Sequence, residues 1–366
     1  MKEMETATQR YVGLDIGKRT YEMAIVGKGG KVTLSNGKTH PSGRQALYKQ
    51  LRSGDKVGLE AGNLAFIMAN EIEQAVPGCR VFVLNPSNLA LIYGTMKKTD
   101  KIDAVKLAHV LEDYKEERLP VVPVPSEKEM HRRKLLSSYQ RAQQSRNRKI
   151  NQLHALFVFQ GITTKVRSDL STSASRKEAI KELSGIEREE AEYLVQSLEL
   201  SEERIRKLEK QMQEDAAGDE EIERLQSIPG VGPKVSFAFV AHVAAERFEN
   251  AGQVSNYLGL VPRVYISGDT VKYGRITKRG NGYVRALLVQ AACALIRTKA
   301  GGKLKARYLY MTQEKSKSKK KAIVAIARRL AEEMYTLLRD GTSHEFRPFT
   351  PEKNKGKKMA KLALSA

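Results

Sequence analysis

The feature that most constrains the fold is a regular alternation of short apolar runs and helical patterns over residues 8–118. Strand-like runs at 11–16 and 21–26 are followed by a Gly-rich turn and a third run, which predicts an opening antiparallel meander. Strands alternating with helices after such a meander are typical of an α/β domain. The predicted strands lie at 11–16, 21–26, 31–35, 55–61 and 79–85, and the predicted helices at 43–53, 63–75 and from about Asp100, after a helical stretch that opens at Asn85.

The composition changes after this region. A proline-rich linker, LPVVPVP at 119–125, marks a domain boundary. Long helical patterns follow at 127–160 and 177–216, separated by a Ser/Thr-rich break. We therefore expect an α/β domain at 8–118, a helical coiled-coil spacer at 126–218, a mainly helical domain at 221–341 and a basic flexible tail at 342–366.

Apolar residues recur at heptad-like steps in the second helical pattern and have charged flanks. Such a seam suits a coiled-coil dimer contact and an intramolecular helical hairpin equally well. The seam residues are Leu194, Leu198, Ile205, Leu208 and Met212.

The chain is strongly basic. It has 64 Lys and Arg against 42 Asp and Glu, a formal net charge of +22, and the positive charge recurs along its length. Nucleic acid is the partner that this balance favours. Tryptophan is absent and aromatic residues make up 6%, so stacking on bases is not expected to be the main binding mode.

Several features point to the cytoplasm. The two cysteines, Cys79 and Cys293, have no zinc-site spacing, and a reduced compartment is the default for such a chain. The segment MKEMETATQR lacks the apolar core of a signal peptide. The longest apolar run, 283–296, contains Arg285 and is too short to span a bilayer, so we expect a buried helix there and no membrane partner.

Four carboxylates form the main candidate site. Asp15 interrupts the apolar run YVGLDI and Glu60 ends the run KVGLEA, where an uncompensated carboxylate is costly. Asp100 and Asp103 share one face at the start of a predicted helix. Helix capping is one explanation of that pair, and metal binding is another that does not exclude it. Convergence of all four acids would give a hard-oxygen site for Mg²⁺ or Mn²⁺. Two basic neighbours are candidate contacts to a nucleic-acid backbone, Lys98 and Lys101.

The motif GLDIGKRT also resembles the first phosphate motif of actin-like ATPases and sugar kinases. Those proteins need a Gly-Gly adenosine motif well downstream. In this chain Gly-Gly occurs at 29–30 and 301–302, and neither position has a suitable context. The acidic-site interpretation is therefore preferred.

The segment LQSIPGVGPKVSFAFVAHV at 225–243 is typical of a helix-hairpin-helix element. Its tight turn and the next helix start would hold a phosphate through backbone N–H groups. A plain packing corner between two helices is the alternative. The candidate contacts are Gly230, Gly232 and Lys234.

Ser267 lies in a turn after the apolar run RVYI and is a candidate nucleophile. A serine needs activation by a base or a metal, and no histidine is close in sequence. A simple turn residue is the alternative. The amphipathic pattern at 317–339 predicts a core-packing helix. The basic residues around Ser267 are candidate nucleic-acid contacts: Arg263, Lys272, Arg275, Lys278, Arg279 and Arg285.

Taken in order, YVGLDIGK, GLEAGN, KTDKIDA, IPGVGP, YISGDT and KKAIVAIARRLAEEMYTLLRDG resemble the DEDD-type transposases of the insertion-sequence one-ten family, the bridge-RNA-guided recombinases. The resemblance covers about residues 10–341. It implies a RuvC-like domain on an RNase H fold, with Mg²⁺ held by Asp15, Glu60, Asp100 and Asp103.

The resemblance also implies a role for Ser267 as the nucleophile that forms a covalent protein–DNA intermediate, in a composite site built from two domains and often from two subunits. The implied partners are donor and target DNA, a noncoding guide RNA that selects sequence by base pairing, and further copies of the chain in a dimer or tetramer.

Two rival functions stay open at this point. The first is a junction resolvase that uses metal-activated water, with Ser267 only structural. The second is a non-catalytic nucleic-acid-binding protein, whose acids would be helix caps and strand-end residues.

Overall fold

The computed structural model describes residues 9–62, 64–86, 88–89, 100–268 and 270–345. The chain divides into two units, one ending at Ser126 and the other beginning at Glu127. The finer division of the second unit into a spacer and a C-terminal domain stays a prediction. Lys98, most of the helical stretch predicted after Asn85 and most of the predicted tail lie outside the described residues.

The strands of the first unit are β1 Tyr11–Ile16, β2 Thr20–Val26, β3 Val32–Lys38, β4 Lys56–Glu60 and β5 Arg80–Leu84. They form one sheet in the order β3-β2-β1-β4-β5. The pairs β1–β2 and β2–β3 are antiparallel, and β1–β4 and β4–β5 are parallel. The predicted meander and the α/β class of this region are confirmed.

The described helices of this unit are α1 Pro41–Tyr48, α2 Ala65–Ala75 and α3 Asp100–Asp113. α1 begins and ends earlier than the predicted 43–53. The prediction was wrong at the start because His40 caps the helix, with the Gly43 N–H donating to His40 Nδ1 at 3.1 Å, and Pro41 occupies the first helical turn.

The two faces of the sheet are covered by different helices. Successive residues of a strand point to opposite faces. Val12 and Leu14 are fully buried in the core that includes residues of α1 and α2. Gly13 faces α3, and a Cβ atom there would lie 2.0 Å from the Ala104 carbonyl oxygen. α3 therefore packs directly on the backbone of β1.

The proline-rich linker is tied to the sheet. Val121 bridges Leu84 in antiparallel fashion, and the Val122 N–H donates to the Val83 carbonyl at 2.7 Å. The linker thereby covers the outer edge of β5, which would otherwise present unpaired backbone groups.

The second unit begins with a helical hairpin made of α4 Glu127–Phe159 and α6 Gly185–Ala216, with a short helix α5 Ser173–Ala179 between them. The heptad seam of α6 faces α4. Leu194 and Leu198 pack in one core with Leu153, and Leu208 and Met212 lie in another core that contains residues of α4. The intramolecular alternative for this seam is confirmed.

Helices of the remaining segment pack in one core with α12, whose buried side includes Ile326, Leu330 and Met334, whereas the two strands of this segment are largely exposed. The helices predicted at 283–296 and 317–339 are confirmed. No helix in the described part of the chain is both long and apolar enough to cross a bilayer. The elements are α7 Glu220–Gln226, α8 Pro233–Val240, α9 Ala251–Tyr257, β6 Pro262–Ser267, β7 Thr270–Ile276, α10 Gly282–Arg297, α11 Gly302–Leu309 and α12 Lys319–Asp340.

Candidate functional site

Two of the four predicted acids lie at matching ends of neighbouring parallel strands. Leu14 of β1 pairs with Leu59 of β4, so Asp15 and Glu60 are the next residues along the two strands. Asp15 is half-buried and Glu60 is exposed. Because parallel strands end at the same edge of a sheet, both carboxylates lie at the carboxyl edge of the central strands.

The other two acids come from the first turn of α3. Two glycines let this helix approach the sheet: Gly13, and Gly58 of β4, where a Cβ atom would lie 3.0 Å from Leu111 Cδ1. Asp100 is exposed, and Asp103 is half-buried with its Oδ1 3.3 Å from Lys106 Nζ. The glycines therefore set how closely the helical acids approach the strand acids. Lys101 is exposed in the same turn of the helix.

The electrostatics couple the four acids. The pKa of Asp15 is raised from 3.8 to about 6, first by burial and then by the negative charges of Asp100, Asp103 and Glu60. The backbone hydrogen bond from Ile16 acts in the opposite direction. The sequence prediction that these acids converge from two strands and a helix start is consistent with this coupling.

The donor set suits a hard divalent cation. Within the described ranges, no group of three or more His, Cys, Asp or Glu side chains is arranged so that it could hold a metal ion. The four side chains offer carboxylate oxygens alone, which are the ligands that Mg²⁺ and Mn²⁺ prefer. A cation among them would also relieve the repulsion that raises the pKa of Asp15. The chemistry of the four side chains therefore suits Mg²⁺ or Mn²⁺, although their arrangement in this structure does not yet form a ligand set.

Sequence reasoning missed a fifth carboxylate, Glu22. It is half-buried and lies directly opposite Asp15 in the β1–β2 register. Directly paired residues of antiparallel strands share a face, so Glu22 lies on the α3 side with Asp15. The signal was in the alternation of TYEMAIV, where Glu22 stands between the buried residues Tyr21 and Met23.

Ser267 is the last residue of β6 and pairs with Thr270 of β7 in a two-stranded hairpin. The next residue, Gly268, has a φ of +52°, which favours glycine. Ser267 is exposed, and its hydroxyl has no hydrogen-bond partner among the residues that the structure describes. A base or a metal that activates the Ser267 hydroxyl would therefore have to approach it from elsewhere, since none of the described residues hydrogen-bonds to it.

The hairpin has little core of its own. Cross-strand pairing places four apolar side chains on one face and Ser267 with Tyr265 and Lys272 on the other. Ile266 and Tyr273 are each 72% exposed. The apolar face consists of Val264, Ile266, Val271 and Tyr273.

Arg285 braces the base of the hairpin. Its guanidinium donates to the carbonyls of Leu258 at 3.1 Å and Gly280 at 3.2 Å, and also to that of Arg279. A Cβ atom at Gly280 would lie 2.1 Å from the Tyr257 carbonyl oxygen, so the chain segments at this base are in close contact. The predicted nucleic-acid contact Arg285 is thus engaged within the protein. The other basic residues predicted around Ser267 are exposed: Arg263, Lys272, Arg275, Lys278 and Arg279.

The predicted helix-hairpin-helix element consists of α7 and α8 with a tight turn between them. Gly230 has a φ of +85°, and a Cβ atom there would lie 2.6 Å from the Leu295 nitrogen of α10. Lys234 Nζ lies 2.6 Å from Glu209 Oε1 and also contacts the Tyr139 hydroxyl. The turn therefore has a packing role, and phosphate binding by Gly230, Gly232 and Lys234 stays a prediction.

Two family models match the chain. A transposase model of the IS110 DEDD type matches residues 12–160, which include all four acids. A second model, described as the transposase IS116/IS110/IS902 family, matches residues 222–309, which include the α7–α8 turn and the Ser267 hairpin.

Curated relatives are also transposases. A probable family 20 transposase of Pseudomonas aeruginosa is 39% identical over 105 residues, which is 28% of this chain and 31% of that protein. The transposase for insertion sequence element IS1111A of Coxiella burnetii is 39% identical over 90 residues, 24% of this chain and 25% of that protein. A putative transposase of Sinorhizobium fredii is 26% identical over 257 residues, 64% of each chain. The matches to the first two relatives span about a third or less of those proteins' length. Together with the two family models, they show that the chain belongs to the IS110 family of DEDD transposases.

Proposed function

We propose that this protein is the transposase of an insertion sequence and that it cuts and rejoins donor and target DNA. The observation that carries the proposal is the pKa of Asp15, which is raised to about 6 first by burial and then by the negative charges of Asp100, Asp103 and Glu60. Such like-charge clusters are typical of sites that act on phosphates through a metal. The mixed sheet, with its antiparallel meander and two further parallel strands, supports an RNase H-like fold of the RuvC type.

In this proposal Asp15, Glu60, Asp100 and Asp103 hold Mg²⁺ or Mn²⁺. Bound there, the cation supplies Lewis-acid stabilisation of a phosphodiester and of the leaving oxygen. The protein's part is to keep the carboxylates in place on β1, β4 and α3. The pKa of Asp15 means that this ligand is ionised above about pH 6 and protonated below it.

Ser267 is the proposed nucleophile. Its Oγ attacks a DNA phosphorus, a P–O bond to Ser267 forms, and the P–O bond to one deoxyribose oxygen breaks. The serine proton goes to a base in solution, and the departing oxygen takes up a proton. Because a serine phosphodiester replaces a DNA phosphodiester, the strand can be rejoined without an external energy source. The exposure of Ser267 on a projecting hairpin supports this role.

The proposal extends to the partners. The net charge of +22 and the exposed basic residues of the hairpin support contact with nucleic-acid backbones. The family resemblance adds a noncoding guide RNA, a dimeric or tetrameric assembly and action in the cytoplasm. In this assignment the acidic cluster and Ser267 act in one reaction.

The proposal is tested by trapping. Purified protein is incubated with its co-expressed RNA, Mg²⁺ and labelled donor and target DNA, then denatured. We expect a protein–DNA adduct that Ser267→Ala abolishes. The matched control is Thr270→Ala, which removes the hydroxyl directly opposite on the same hairpin and should leave the adduct intact.

Two other outcomes point to the rival functions. Cleavage without any adduct would identify a resolvase that uses metal-activated water. DNA binding without cleavage, while an active relative cleaves in parallel, would leave a non-catalytic nucleic-acid-binding protein.

A further inference from the structure

We propose that the outer face of α4 is a second nucleic-acid site, which binds the backbone of duplex DNA without reading its sequence. The site is a row of three cations, Lys134, Arg141 and Arg148, called here the α4 stripe. The inference rests on the proposed function in one respect, since it takes DNA to be the substrate.

After Glu127 and Glu129 in its first turn, α4 contains no further acid. Residues 130–168 contain no Asp or Glu, although the whole chain has 42. The partner helix α6 has the opposite character, with Glu187, Glu189, Glu190 and Glu192 in its first turns alone. The α6 acids that contact α4 across the hairpin are Glu202, Glu209 and Asp215, and they lie against its inner side. The outer side of α4 is left positive.

The spacing puts the stripe on one line. Lys134, Arg141 and Arg148 are seven residues apart, which is close to two helical turns, so their side chains project about 10 Å apart along the helix. All three are exposed. The buried side of α4, with Leu136, Tyr139 and other apolar residues, points away from this line.

The other cations of α4 are already engaged. Arg132 bonds to Asp215 and Asp219, and Arg146 Nε lies 2.9 Å from Glu202 Oε1. Lys149 Nζ donates to the Ser197 carbonyl and the Ser201 hydroxyl. These contacts hold the hairpin together, so the cations that make them are not available to a ligand.

The stripe itself is not neutralised. In the described ranges no carboxylate lies within ion-pair distance of Lys134, Arg141 or Arg148, and Arg141 contacts the neutral Ser138 Oγ at 3.2 Å. The three cations thus form a positive row along a helix of 33 residues that is about 50 Å long.

The side chains between the cations indicate the kind of partner. They are neutral and polar, and the same face carries Ser138, Ser145 and Gln152. Hydroxyl and amide groups bind phosphate and sugar oxygens. No aromatic ring lies between Lys134 and Gln152 on this face, and the exposed Phe159 follows only at the last residue of the helix. The stripe itself therefore does not stack unpaired bases. Charge and chemistry together favour a duplex backbone, and DNA is the duplex on which the proposed reaction acts.

The test measures binding of a fluorescent, non-target duplex DNA to the full-length protein between about 50 and 200 mM salt. The triple variant Lys134→Gln, Arg141→Gln, Arg148→Gln should lower the slope of log affinity against log salt by about 2–3, as expected for about three lost phosphate contacts. The conservative triple Lys134→Arg, Arg141→Lys, Arg148→Lys should keep the wild-type slope.

A matched control removes the same charge from α6. It is Arg204→Gln, Lys207→Gln, Lys210→Gln, where Lys207 and Lys210 are already paired with Glu203 and Glu214. We expect its slope to stay within about 0.5 of wild type. Thermal melts of all variants show whether the hairpin is intact.

Three results would overturn the inference. They are an unchanged slope in the α4 variant, an equal loss in both glutamine triples, and stronger competition by an RNA duplex than by DNA, which would make the stripe an RNA site. The proposed function fails separately. If wild-type protein forms no serine adduct while the α4 variant loses DNA binding, the stripe stands and the transposition chemistry does not.

Discussion

The acidic cluster and the serine hairpin are held by the protein in opposite ways. Asp15 follows Leu14, which is fully buried in a sheet that has helices on both faces. Ser267 follows Ile266, which is 72% exposed on a two-stranded ribbon. The carboxylates therefore have positions fixed by a core, whereas the serine is fixed mainly through the base of its hairpin.

Because of this difference, we expect mutations in the two regions to affect folding stability and activity differently. A two-stranded hairpin is marginally stable by itself in water, so the β6–β7 hairpin contributes little to the free energy of unfolding of the protein. Changes beside the acids should alter the free energy of unfolding, and changes on the ribbon should alter the reaction at nearly constant stability.

The largest expected effect is at Gly13. In Gly13→Ala the new methyl group would meet the Ala104 carbonyl at 2.0 Å, so α3 must move off the sheet. We expect a loss of about 3 kcal/mol or more in the free energy of unfolding, measured by urea denaturation. Gly27→Ala is the control, because nothing lies within 4 Å of a Cβ at that position, and it should stay within about 0.5 kcal/mol of wild type. Equal losses in the two variants would contradict the packing argument.

A smaller effect is expected at the base of the hairpin. Arg285→Gln removes charged hydrogen bonds to the carbonyls of Leu258 and Gly280, which should cost about 2 kcal/mol. Formation of the serine adduct should fall as well, because the hairpin loses its brace. Arg263→Gln, at an exposed site on β6, is the control for stability. A fully stable Arg285→Gln protein would show that these contacts do not hold the hairpin.

A pH-dependent effect of about 1 kcal/mol is expected at Asp15. Its pKa is raised from 3.8 to about 6, so the folded state binds the proton more tightly than the unfolded chain does. The contribution of Asp15 to the free energy of unfolding is therefore fully present below pH 3.8 and is lost as the pH rises through about 6. Metal-free Asp15→Asn should be more stable than wild type at about pH 7.5 and equal to it near pH 4. Melting temperatures of the two proteins are measured with a chelator across this pH range. A difference between wild type and Asp15→Asn that does not change with pH would contradict the raised pKa of Asp15.

The smallest change in stability is expected on the ribbon. Ile266→Ser removes a side chain that is 72% exposed, so the free energy of unfolding should change by less than about 0.5 kcal/mol. Leu14→Ala, at a fully buried site, should cost about 3 kcal/mol by comparison. Thermal denaturation of the two variants side by side measures the difference in their free energies of unfolding. A loss of stability in Ile266→Ser as large as that in Leu14→Ala would contradict the account.

Much of the first unit was predictable from the sequence, because β-branched runs alternated with helical patterns and placed Asp15 and Glu60 at strand ends. The end of β3 was not predictable. The prediction stopped at residue 35, whereas β3 continues to Lys38 because pairing with β2 outweighs the low strand propensity of Asn36 and Gly37.

The residues that position the candidate site were harder to predict than the candidate site residues themselves. The four acids and Ser267 were chosen by residue type and position and by the family resemblance, and their roles stay predictions. The close approach at Gly13 and the brace made by Arg285 depend on contacts between segments far apart in sequence. A local pattern contains no information on such contacts, so the sequence did not predict that Arg285 donates to backbone carbonyls. Its role as a nucleic-acid contact stays a prediction.

The most direct test of the account is the binding of Mn²⁺ to the full-length protein, followed by calorimetry or electron paramagnetic resonance. The account predicts one site that is weakened about tenfold or more by Asp15→Asn and that loses affinity as the pH falls below about 6. Asp113→Asn, at the exposed far end of α3, should bind like wild type. Equal, pH-independent binding by wild type and Asp15→Asn would contradict the claim that the four acids form a metal site.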